Sequence, residues 1–181
     1  ELGRTPQWLS VPVIATSHLW ENGKNEQSHQ DSLFGEALMG EMSDVARVVY
    51  PADANSAIAC LNACYKTQGQ IWAITAPKQQ VKTIFSKQKA QLLVSQGALT
   101  LEESRDAEVQ LVAVGAYQLD LCIQIQQELR ENGISSFVTY LMEPGRFRRP
   151  RDRSEQAFIS SASAKEALFP SSLTLRVFVA H

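Results

Sequence analysis

What the sequence lacks narrows it first. No apolar run in the 181 residues approaches the roughly 20 needed to span a bilayer, which argues against a membrane helix. No basic-then-apolar segment opens the chain, so nothing there reads as a secretion signal. The expectation is a cytoplasmic protein. Charge of either sign is not in excess. A net charge of −2 gives no general attraction to nucleic acid or to anionic membrane. Cysteine is scarce and odd in number, at Cys60, Cys64 and Cys122, which rules out a disulfide framework of the secreted kind. Cys60 and Cys64 stand four apart in an apolar helical pattern and share one face. No further Cys or His lies near them in sequence, so no metal site is expected, and all three read as small buried residues in a reducing compartment. There is no internal repeat and no low-complexity segment.

What is present is a soluble globular composition, 44% hydrophobic and 20% charged, in a chain long enough for one ordinary domain or two small ones. Short apolar runs alternate with helical periods. "VPVIATS" (11–17), "VARVVY" (45–50) and "IWAITA" (71–76) read as strands, the first of them buried. Between the last two, "DANSAIACLNACYKTQ" reads as a helix with Asp53 at its N-cap and Ile58, Leu61, Cys64 and Tyr65 on one face. A strand–helix–strand unit with buried strands predicts parallel pairing.

Residues 78–108 turn polar and charged, with one helical stretch around 87–96. The pattern then restarts. "VQLVAVGA" (109–116) predicts a strand, "YQLDLCIQIQQELRENG" a helix closed by Gly133, and "ISSFVTYL" another strand. "EPGRFRRPRDR" follows as a basic loop, in which Arg146, Arg148, Arg149, Arg151 and Arg153 read as a solvated surface or subunit contact. "SEQAFISSASAKEALF" predicts a helix and "LTLRVFVA" a last strand. The fold class expected is α/β, as two partial three-layer units with mostly parallel sheets.

Straight after the first strand comes "NGKNEQSHQD" (22–31), a polar loop at the end of an apolar run. In an α/β protein that is where ligands are most often handled. "TSHLWENGKNEQSHQD", then "VARVVYPADANSA" and "ITAPKQ", resembles thiamine-diphosphate-dependent phosphoketolase and, more distantly, transketolase. The three blocks stand in the same order and spacing. "VQLVAVGAYQLDLCIQIQQELRENGISSFVTYL" resembles the start of the C-terminal domain of the same enzymes.

That resemblance implies a longer parent. Residues 1–85 would be the C-terminal part of a pyrimidine-binding domain, 86–107 a connector, and 108–181 the N-terminal part of a C-terminal domain. Both ends read as cuts, and the glutamate that activates the aminopyrimidine would lie upstream. The implied parent cleaves xylulose 5-phosphate or fructose 6-phosphate with inorganic phosphate to acetyl phosphate and an aldose phosphate. It uses thiamine diphosphate and magnesium and works as a homodimer or higher homo-oligomer; this piece alone would be inactive. No nucleic acid or membrane partner is implied.

By the same resemblance His29 would face the reacting centre, orienting or deprotonating substrate hydroxyls, with Gln30 beside it. An imidazole with a reference pKa near 6.5 suits that exchange. Asn25 would bind substrate through its amide, and transketolase has an acid there. Lys78 would meet the sugar phosphate, with His18 in support, and Trp20 reads equally as packing or substrate wall. Lys24 departs from the family, which usually has histidine at a position implicated in the dehydration step. A lysine with a reference pKa of about 10.4 needs a downward shift of about three units to act as a base near pH 7. As a fixed cation it can instead hold a phosphate or stabilise an enolate. Ser32 replaces a common proline. These departures leave two alternatives open, another reaction on the same sugar phosphates (epimerisation, for example) or a non-catalytic α/β assembly module.

Overall fold

The structure, a computed structural model, describes residues 7–16, 34–41, 44–102, 106–173 and 175–180. The described chain builds an α/β fold with two sheets. The first has strand order β1-β3-β2, from Val11–Ala15, Ile71–Thr75 and Ala46–Val49, all parallel. The second has order β4-β6-β5-β7, from Ala98–Thr100, Ser136–Leu141, Val109–Ala113 and Leu175–Val179. There β6, β5 and β7 run parallel, while β4 pairs with β6 in the opposite direction. The helices are α1 (Phe34–Met39), α2 (Ala54–Cys64), α3 (Lys87–Gln96), α4 (Ala116–Glu131) and α5 (Ala162–Leu168).

Helix α2 begins where Asp53 accepts the Ser56 amide at 2.8 Å, while the Ser56 hydroxyl accepts the Asp53 amide at 2.9 Å. This reciprocal box satisfies two backbone donors that the first helical turn leaves open. The helix buries Ser56, Cys60 and Cys64, an i, i+4 row of small side chains. The predicted face is therefore corrected: Ile58 and Tyr65 stand 57% and 59% exposed. Small residues let the helix sit close to its neighbours, and the larger ones turn outward.

Three further expectations change. Strand β1 is apolar but not buried; Val11, Val13 and Ile14 are exposed. It pairs with β3 alone, so among the described residues it has one open edge. The stretch 154–169 is not one helix. A 3-10 turn at Glu155–Ala157 precedes α5, because Ser160 donates its amide to Arg146 and Ser161 caps α5 through the Ala164 amide. The charged stretch 78–108 also hides a strand. Helix α3 ends at Gly97, whose φ of 81° is the left-handed region glycine tolerates, and a Cβ there would lie 2.9 Å from Arg146 Cδ. The chain then drops directly into β4.

One apolar cluster runs through both sheets, joining Val49, Trp72 and Ile74 of the first to Leu111, Val138 and Tyr140 of the second. The seam lies between β2 and the end of β6. Tyr50 donates its amide to the Met142 carbonyl at 2.9 Å, and the Tyr140 hydroxyl donates to the Tyr50 carbonyl. Arg47 donates to both carboxylate oxygens of Glu143, at 2.7 and 2.6 Å, with its guanidinium 3.7 Å from the Trp72 ring centroid. No helix among the described residues is long and apolar enough to cross a membrane.

Candidate active site at the carboxyl ends of the first sheet

Because β1, β2 and β3 are parallel, the segments that leave their carboxyl ends emerge at one end of the sheet. These are the polar segment after Thr16, the Tyr50–Asp53 turn, and the bend at Pro77–Lys78. Ala15 and Thr75 are register partners, and the Ala76 amide donates to the Ala15 carbonyl at 2.9 Å, so the first and third exits lie side by side. Carboxyl ends of parallel strands are where open α/β sheets hold their ligands.

Of the residues singled out in the sequence, His18, Lys24, Asn25, His29 and Gln30 lie outside the described residues, as do Trp20 and Ser32. Lys78 is described, and stands exposed in the bend just past β3. The topology therefore brings the start of the polar segment and Lys78 to the same end of the sheet.

The turn after β2 is occupied with structural work. Besides capping α2, Asp53 accepts the Ile84 and Phe85 amides, each at 2.8 Å, through its other carboxylate oxygen. One buried acid thus ties the return path from β3 to the start of α2. Sequence reasoning found Asp53 as a cap but not this second role, whose partners are about thirty positions downstream.

The cysteines are not nucleophiles. Burial, reinforced by the nearby Glu143 carboxylate, pushes the Cys60 thiol up to about 12, and burial pushes Cys122 up to about 11. Burial raises Cys64 as well. All three stay protonated at neutral pH, and Cys60 points its thiol at Met142 sulfur, 3.6 Å away. No group of three His, Cys, Asp or Glu side chains among the described residues is arranged to hold a metal ion.

The arginine-rich loop is not simply solvated. Arg148 and Arg151 both engage Glu155, which is wholly buried, and both donate to backbone carbonyls of the 39–41 turn. Arg146 donates to the carbonyls of Val94 and Ser95 at the end of α3. Three of the five arginines are thus structural ties, Arg151 among them although it is exposed, as Arg149 and Arg153 also are. Glu155 is the signal that was missed. A single acid just beyond a basic run can neutralise it from within.

With this geometry in place, residues 1–67 match the family model described as D-xylulose 5-phosphate/D-fructose 6-phosphate phosphoketolase. That match likens residues 1–67, less than half of the chain, to the phosphoketolase family. A probable phosphoketolase of Brucella abortus (strain 2308) is 37% identical over 83 residues, which cover 44% of this chain and 10% of that protein. A probable phosphoketolase of Lactococcus lactis subsp. lactis (strain IL1403) is 30% identical over 99 residues, covering 55% of this chain and 12% of that one. The chain thus spans about a tenth of the length of the curated phosphoketolases it matches. Among solved structures, a transketolase mutant from Pichia stipitis superposes with a TM-score of 0.71 at 19% identity, covering 95% of this chain and 23% of that one. The fold is transketolase-like across both sheets. The phosphoketolase match includes the polar segment that leaves β1.

Proposed function

We propose that this chain is part of an enzyme that cleaves xylulose 5-phosphate or fructose 6-phosphate with inorganic phosphate, yielding acetyl phosphate and an aldose phosphate. The observation that carries the reading is the match over residues 1–67, because it includes the polar segment leaving β1. The parallel sheet, which sends that segment and Lys78 out at one end, supports it. His29 and Gln30 would handle substrate hydroxyls, Asn25 and His18 would hold the sugar, and Lys78 would meet its phosphate. Lys24 would act as a fixed cation. In this reading residues 1–85 and 108–181 belong to two domains of a longer parent, joined by 86–107, and the parent is a homodimer or higher homo-oligomer.

The cofactor would be thiamine diphosphate with magnesium, supplying the carbon nucleophile for the cleavage. The described residues do not fit that group. They offer no acidic ligand set, and Asp53, the carboxylate at this sheet end, is spent on backbone amides.

The test is acetyl phosphate production by the full-length parent. Lys78→Ala should chiefly raise KM for the phosphorylated ketose, since a charge-assisted contact is worth roughly 1.5–3 kcal/mol. His29→Ala should chiefly lower kcat, by about 10²–10⁴-fold if it moves a proton. A parent whose product formation ignores both substitutions overturns the reading. One observation favours a second reading, another reaction on the same sugar phosphates or a non-catalytic module: Lys24 stands where the family usually has histidine. A Lys24→His variant that creates acetyl phosphate activity absent from the natural sequence would decide for it.

A further inference from the structure

One large groove among the described residues is distinct from the bend that carries Lys78. It has a volume of about 780 Å³ and runs between the outer faces of α2 and α3, closed at one side by Glu143, Arg146 and Phe158. That is within the range of roughly 300–1,000 Å³ in which small-molecule sites fall. Lys78 does not line it.

Its charge is one-sided. Arg47, Lys66, Lys87 and Arg146 line it against a single carboxylate, Glu143, which Arg47 already holds through both oxygens. The surplus is written into the sequence. Between Asp53 and Glu102 there are five lysines and no acidic residue, in a chain whose net charge is −2. Both helices that wall the groove come from that stretch. Lys66 and Lys87 are exposed, and neither side chain has a hydrogen bond or ion pair among the described residues. A concave, one-signed surface over a low-dielectric wall concentrates counter-ions.

The walls are also partly apolar. Ile58, turned outward on α2, faces the same space as Val94 of α3 and Phe158. Asn62 and Gln91 add amides, which can donate to phosphate oxygens or accept from hydroxyls. Inorganic phosphate alone would use the cations and leave the apolar wall wet. We propose that this groove binds a small organic phosphate with an apolar or aromatic body, the phosphate toward Lys66 and Lys87 and the body against Ile58, Val94 and Phe158. It is a second anion site, separate from the sugar-phosphate site proposed around Lys78.

Phenyl phosphate is the probe, titrated into the isotope-labelled chain at low salt and followed by amide resonances, with inorganic phosphate and phenol in parallel. Phenyl phosphate should shift the amides of α2 and α3 with a Kd of about 1 mM or tighter, and phenol should bind at least about tenfold more weakly. Added salt should weaken the phosphate arms and leave the phenol arm unchanged. The double substitution Lys66→Gln/Lys87→Gln should weaken phenyl phosphate by about tenfold or more with the Tm unchanged. Lys78→Gln should leave binding at this groove as it was, so the outcome does not depend on the catalytic reading. Three results would each overturn the proposal. They are no shift in α2 and α3 up to about 10 mM probe, shifts that survive the double substitution, and phenol binding as tightly as phenyl phosphate.

Discussion

Arg47 and Glu143 stand 96 positions apart in sequence and form a two-point ion pair with side chains only 15% and 5% exposed. Nothing local announces it. Each residue ends or interrupts an apolar strand, where a lone charge reads as an edge or an exit. Its physical cost is high if either partner is lost, because the other is left desolvated. Glu143→Gln should therefore destabilise by about 3 kcal/mol, since breaking a buried pair typically costs about 3–5. Replacing both, as Arg47→Met with Glu143→Leu, should cost less than the sum of the single changes, because no charge is then stranded. Urea denaturation of the three variants measures this; a single-variant loss below about 1 kcal/mol would show the pair to be solvated in effect. The same residue-scale logic explains Glu155, the acid that turns a basic run into internal ties. Candidate site residues were legible only through resemblance. A loop histidine such as His29 carries no physical mark of its role in sequence, and Lys78 is told from any surface lysine only by the strand end it follows.

Elements were the most legible scale. The strands at 46–49, 71–75, 109–113 and 136–141, and helices α2 and α3, fall within the segments that periodicity marked, and α4 starts one residue ahead of its segment, at Ala116. What periodicity could not give was position in the sheet. Strand β1 is as apolar as a central strand yet lies at an edge, because apolar content records the need for burial and not which neighbour supplies it. Strand β4 escaped because three residues after a glycine cap are too few to show a period of two. Asp53 joins two elements at once, as cap of α2 and as anchor of the segment entering α3. Asp53→Ala should thus cost more than a simple cap. Loss of the cap is worth about 1 kcal/mol, and stranding the Ile84 and Phe85 amides adds roughly 1–3 kcal/mol. Hydrogen exchange at residues 84 and 85 should accelerate in the variant along with the first turn of α2. Faster exchange confined to α2 would show that the segment is held by other contacts.

At the scale of the whole molecule, two sheets could mean two units that fold apart, and the sequence, with its polar stretch between apolar halves, invites that view. The interior argues for coupling. The core cluster is continuous from Val49 and Trp72 to Tyr140 and Leu111, and Phe85, from the stretch between the sheets, packs its ring 5.8 Å from that of Tyr140. The seam carries the Tyr50–Met142 and Tyr140–Tyr50 hydrogen bonds as well as the Arg47–Glu143 pair. Opening it while either half stayed folded would expose apolar surface and strand buried polar groups on the folded half. A half would then have to be stable with one face of its core in water, and small units bury too little surface for that. The 181-residue chain should therefore unfold in urea as one transition. Amide resonances from β3 and α2 should fade at the same denaturant concentration as those from β5 and β6, with the fluorescence of the three tryptophans, Trp8, Trp20 and Trp72, all in the first half of the chain, following the same curve. Separate midpoints for the two sets would show that the seam is a contact between independent units. Glu143→Gln sharpens the comparison. If the seam couples the sheets, it should lower both midpoints together, although Glu143 belongs to the second half of the chain.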